Sequence, residues 1–130
     1  MPLSHVKIHL PTIFVASAGL LLGGCGPACI SKEQAKINDP SGLTFVITEA
    51  NCDLVGNTTA TTIQAYGQGD SKTTLFKYGP DDRSGAPQIT VQANRIVIEI
   101  DSVLDISLQE NRYKTYAVDY KIKHVEYPQK

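Results

Sequence analysis

From residue 43 onward, apolar and polar positions alternate in short runs separated by turn formers. Leu43, Phe45 and Ile47 alternate with Thr44, Val46 and Thr48, the period of two that turns one face of a strand inward. Thr58 to Tyr66 is rich in β-branched residues and reads as a second strand, with Thr73 to Tyr78 as a third. Gly67 to Ser71 between them suits a hairpin turn, because glycine reaches backbone angles closed to other residues. Gln88–Val91 and Arg95–Ile100 flank an Ala93-Asn94 turn. Ile96, Ile98 and Ile100 share one face there, and Val97, Glu99 and Asp101 the other. Leu104, Ile106 and Leu108 repeat the alternation. In the last run Tyr116, Val118, Tyr120 and Ile122 oppose Thr115, Ala117, Asp119, Lys121 and Lys123. The pattern predicts an all-β domain, an antiparallel sandwich or small barrel of about 6–7 short strands.

Two stretches interrupt this pattern. Asp39-Pro40-Ser41-Gly42 is turn chemistry, and Gly79 to Pro87 is the longest break, dense in turn formers and charge. Gly26 to Pro40 reads as a tether with one helical turn at Lys32–Lys36, ahead of a β domain over residues 42–127.

Residues 1–24 have another character. They hold no Asp or Glu, carry Lys7 near the start, and contain the apolar run Ile13 to Leu22. That order predicts a helical secretory signal peptide. The run is shorter than the roughly 20 apolar residues of a bilayer span, and Pro11, Gly19, Gly23 and Gly24 flank or interrupt it. Its end, Leu22-Gly23-Gly24-Cys25, resembles the lipobox of bacterial lipoproteins. The resemblance implies cleavage between Gly24 and Cys25, a diacylglyceryl group on the Cys25 thiol, and an acylated new amino terminus such as palmitate would give. Residues 25–41 would then be a lipid-attached tether, and the membrane the first partner. Gly26, where an Asp would signal inner-membrane retention, favours the periplasmic face of the outer membrane in a Gram-negative cell.

With Cys25 acylated, Cys29 and Cys52 remain of the three cysteines. Two thiols in an exported, oxidising compartment suit a disulfide; two unpaired thiols are the other reading. No Cys-x-x-Cys is present, and removal of the leader takes His5 and His9 and leaves only His124, so no metal site or cofactor is expected. Asp39-Pro40-Ser41-Gly42, Asn51-Cys52 and Thr59-Ala60-Thr61-Thr62 resemble segments of a group of small uncharacterised exported bacterial proteins, although Asp53 to Thr58 here separates the Cys from the Thr run. That resemblance covers about 80 residues, agrees with the β reading and carries no activity with it.

Composition narrows the function further. Hydrophobic residues make up 42% of the 130 and charged residues 19%, enough apolar side chain for a packed core. A net charge of −1 argues against a nucleic-acid binder. His124 is the one histidine available to a Ser/His/Asp arrangement, and no Gly-x-Ser-x-Gly elbow occurs. Glu99, Asp101 and Asp105 are candidate acid–base carboxylates. Glu99 and Asp101 fall on the face opposite the isoleucines, where solvent keeps a carboxyl group acidic. Asp81, Asp82 and Ser84 could offer oxygens to Ca²⁺ but lack the spacing of the twelve-residue loop. The best contact surface is Tyr113, Lys114, Lys121, Lys123 and Tyr127, since Tyr116 and Tyr120 fall on the apolar face. The expectation is a non-enzymatic envelope protein that binds a protein partner or aids envelope assembly. An envelope inhibitor or immunity protein, for example against lysozyme-like enzymes, is the alternative, although Ser84-Gly85-Ala86-Pro87 lacks the Tyr of the Ser-Gly-x-x-Tyr loop of such inhibitors. A small hydrolase ranks third.

Overall fold

A computed structural model describes residues 29–52 and 58–128. The signal segment and Cys25 lie outside them. The described residues form nine strands: β1 (Cys29–Asn38), β2 (Thr44–Cys52), β3 (Thr58–Tyr66), β4 (Thr73–Gly79), β5 (Gln88–Gln92), β6 (Arg95–Val103), β7 (Asp105–Gln109), β8 (Arg112–Tyr113) and β9 (Tyr116–Val125). One sheet has the order β1-β2-β3-β4-β7 and the other β5-β6-β9-β8. The two pack as a small sandwich.

The core follows from the alternation. Phe45, Ile47, Ile63, Ala65, Phe76 and Tyr78 line the inner face of the first sheet, against Ile96, Ile98, Ile100 and Val118 of the second. The Phe76 and Tyr120 rings meet across the interface with centroids 4.8 Å apart. The Tyr120 hydroxyl lies within hydrogen-bond distance of two main-chain carbonyls, those of Glu110 (2.6 Å) and Leu75 (3.0 Å). A strand of the second sheet is thereby tied to the first.

Two expectations change. Residues 29–38, read as tether with a helical turn at Lys32–Lys36, form edge strand β1. The local sequence suits a helix, but β2 offers a partner ladder from Cys29↔Cys52 to Asn38↔Thr44, broken only by a bulge at Gln34, and pairing overrides local propensity. Second, β6 and β9 run parallel, whereas every other pair is antiparallel. After β6 the chain crosses to the first sheet to supply β7 and returns through residues 104–115, about the length a parallel crossover needs. Both faces of the pair hold its register. Inside, Ile96, Ile98 and Ile100 oppose Val118, Tyr120 and Ile122. Outside, Lys121 meets Glu99 at 3.4 Å, Lys123 meets Asp101 at 2.6 Å, and Arg95 pairs with Asp119. A two-residue slip in one direction would set Glu99 against Asp119, and like charges oppose it.

The sandwich has two distinct ends. The turns Asp39–Gly42 and Gly67–Ser71 and the Ala93-Asn94 turn lie at one, the hairpin end. Cys29, Cys52, Gly79, Ser102 and Val125 lie at the other, the cysteine end, where β1 and β2 are joined by the Cys29–Cys52 disulfide. In the hairpin-end turn before β2, Gly42 sits at φ 91° and donates its N–H to the Asp39 carbonyl at 3.0 Å.

Two outcomes follow. Phe45 is fully buried, so Phe45→Ala should lower unfolding free energy by about 3–5 kcal/mol in a urea titration. Protein made with export should block neither Cys29 nor Cys52 with a thiol reagent until reduced. Replacing both with Ser should cost about 3 kcal/mol through the freed loop; two reactive thiols before reduction would contradict the bond.

Candidate functional site

The inner face of the first sheet changes character toward the cysteine end. Ile47, Ile63 and Phe76 are followed one step on by Glu49, Thr61 and Tyr78, which lie opposite one another along β2, β3 and β4. Loop 80–87 folds over this polar row. Between loop and row is a cleft of about 330 Å³, lined among others by Gln34, Glu49, Thr61, Tyr78, Asp81 and Ser84. Tyr78 is almost wholly buried at its floor. Burial pushes its phenol up to about 12, opposed by the hydrogen bond with Thr61 and aided by the nearby Glu49 charge.

Asp81 holds the loop in place. Its carboxylate, mostly covered, accepts the Ser102 hydroxyl at 2.6 Å, the Arg83 N–H at 2.8 Å and the Ser84 hydroxyl at 3.2 Å. The Asp81 N–H in turn donates to the Ser84 hydroxyl oxygen at 2.8 Å. Ser102 is buried at the end of β6, so the carboxylate fastens the loop to the second sheet. These donors, Ser102 first, hold the Asp81 carboxyl below the ordinary range. Arg83 extends the network. Its guanidinium lies 3.4 Å from both Asp81 and Glu126, and Glu126 lies 2.9 Å from His124 Nε2. The His124 bond, foremost, lowers the Glu126 carboxyl.

Among the described residues this is an extended polar network. It holds a serine, a histidine and carboxylates, but in an order unlike a hydrolytic triad. Ser102 and His124 are register partners on β6 and β9, yet the Ser102 hydroxyl donates to Asp81 and the imidazole bonds Glu126. A nucleophile needs its base on the hydroxyl, and here each group is bonded to a different carboxylate. What the arrangement does is lock a polar loop against the sandwich end. Among the described residues no three His, Cys, Asp or Glu side chains converge on a metal position.

The other sequence candidates fall elsewhere. Glu99 and Asp101 pair with lysines on the outer face of β6 and β9, and Asp105 accepts the Gly79 N–H at 3.0 Å. The expected contact surface is divided. Lys121 and Lys123 belong to the outer charge ladder. Lys114 pairs with Asp70 at the hairpin end. Tyr127 is exposed at the cysteine end. Tyr113, expected as an exposed interface group, is instead buried at 5% exposure, because β8 pairs with the start of β9 and turns its ring into the core. Ser102, Arg83 and Glu126 had no motif to mark them. The legible signal was the row Glu49, Thr61 and Tyr78, where three strands carry polar groups at inward positions.

Comparison of the chain with family models, with curated proteins and with solved structures finds no match.

Asp81→Asn tests the loop clamp. The Asp81 carboxyl is more acidic folded than unfolded, so it stabilises the fold above about pH 4 and loses that effect as pH falls through its depressed value. The stability gap between the parent and Asp81→Asn should therefore be largest near neutrality and shrink toward pH 3 in urea titrations. A gap that does not change with pH would contradict the assignment.

Proposed function

We propose that the chain is a lipid-anchored cell-envelope protein whose small β-sandwich domain acts by binding, in contact with an envelope protein partner or in envelope assembly. In a Gram-negative cell it would sit on the periplasmic face of the outer membrane. The observation that carries the reading is the Cys29–Cys52 disulfide. It uses the two cysteines that the lipobox-like Leu22-Gly23-Gly24-Cys25 leaves over, and a bonded pair belongs to an oxidising, exported setting. Several acyl chains on Cys25 would hold the domain far more firmly than one, at about 0.8 kcal/mol per buried methylene. The binding role is supported by how the polar end of the sandwich is built. The hydroxyl of Ser102 and the imidazole of His124 are engaged in bonds that hold the loop.

Cys25→Ala decides the anchor. In bacteria fed a labelled fatty acid, the parent should incorporate label and fractionate with membranes. Cys25→Ala should lose both properties while keeping its disulfide. Undiminished labelling would overturn the lipobox reading.

A further inference from the structure

Among the described residues, the large hydrophobic side chains left most exposed are Ile30, at 75%, and Tyr127, at 66%. They are far apart in sequence, one on an edge strand of the first sheet and the other just beyond β9 of the second. Ile30 is the second residue of edge strand β1. Tyr127 follows β9, and its N–H donates to the Leu104 carbonyl at 2.7 Å, directly before edge strand β7. Strand pairing nevertheless puts both at the cysteine end. Cys29 opposes Cys52, Cys52 opposes Thr58, Thr61 opposes Tyr78, and Gly79 opposes Asp105. Four strand spacings, about 19 Å, separate β1 from β7, so the two side chains lie on opposite sides of this end.

The proposed lipid enters at this same end. Cys25 is four residues from Cys29, which the disulfide fixes to β2. Four residues span at most about 14 Å. A lipid on Cys25 therefore cannot leave the domain free to tumble at a distance. It brings the cysteine end against the bilayer surface, where an aliphatic side chain and an amphipathic phenol are favoured.

We infer that the cysteine end is a lipid-facing docking surface, with Ile30 and Tyr127 as its most exposed large apolar side chains among the described residues, and that the domain stands end-on upon the membrane. This rests on the lipid anchor proposed above. The orientation points the hairpin end, with its Gly67–Ser71 turn, away from the bilayer and leaves it open to partners. Charges around the docking end are mixed, with Lys32 and Arg83 against Glu49, Asp82 and Glu126, so the contact is apolar and insensitive to salt.

The absence of tryptophan from the chain makes the test direct. Ile30→Trp, Tyr127→Trp and, at the hairpin end, Gln68→Trp each place one fluorophore at an exposed position. Each full-length variant is produced in lipidating bacteria and reconstituted into phosphatidylethanolamine–phosphatidylglycerol vesicles containing brominated lipid. Ile30→Trp and Tyr127→Trp should be quenched at least about twofold more than Gln68→Trp, with no change in high salt. Two reporters on separate segments guard against a folding failure at one. Equal quenching of all three in protein that floats with the vesicles overturns the docking and leaves the anchor standing. Parent protein that fails to float lacks the anchor, and both readings fall.

Discussion

The corner at Val103–Leu104 is where one stretch of chain serves both sheets, and the sandwich depends on it. β6 ends at Val103 in the second sheet, and β7 begins at Asp105 in the first. Within those three residues, three main-chain bonds reach two other segments, the end of β4 and the chain after β9. Leu104 N–H donates to the Gly79 carbonyl at 2.7 Å, Glu126 N–H to Val103 at 2.9 Å, and Tyr127 N–H to Leu104 at 2.7 Å. The Asp105 carboxylate adds a bond to the Gly79 N–H. A Cβ at Gly79 would overlap that carboxylate oxygen, so any larger residue there would displace the Asp105 side chain and its bond. Because β6 leaves its sheet here, β9 must return alongside it in the same direction, and the parallel pair is a consequence of the corner.

Polar groups complete this end of the sandwich beside the buried Val103. Beyond Ile47, Ile63 and Phe76 the inward row of the first sheet turns to Glu49, Thr61 and Tyr78, and loop 80–87 folds over it. Thr61 and Tyr78 are buried beneath the loop while Glu49 stays partly exposed, and Asp81 satisfies the hydroxyl of Ser102, which lies too deep for water to serve freely. A buried hydroxyl without a partner is costly, so Ser102 and Asp81 are best understood as one unit that closes the sandwich.

Much of this was legible in the sequence. Alternation in β2, β6 and β9 identified the strands and most of their inward residues, although Val46 and Val97 on the other faces are buried as well. The edges were harder. β1 buries only parts of Ala35 and Ile37, so its Lys- and Glu-rich sequence carries almost no period, and its strand character comes from β2 alone. Tyr113 misled for the opposite reason. It is a tyrosine among charged neighbours, turned inward by a two-residue strand too short to leave a pattern. The polar network at the cysteine end joins residues 81, 83, 102, 124 and 126, which only the corner and the parallel crossover bring together. The division into two sheets was open as well, since alternation alone suits a barrel equally.

The disulfide also sets how the domain meets mechanical load. An edge strand pulled from its end normally unzips, breaking its ladder one rung at a time. Here tension arriving from the amino-terminal side reaches Cys29 and passes through the sulfur bridge to Cys52, at the end of β2. β2 lies inside the sheet, paired along its length with both β1 and β3. The force is thereby carried past the peelable edge into a strand that must shear two ladders together. Reduction would return the load to β1 and convert a shear-resistant attachment into one that peels.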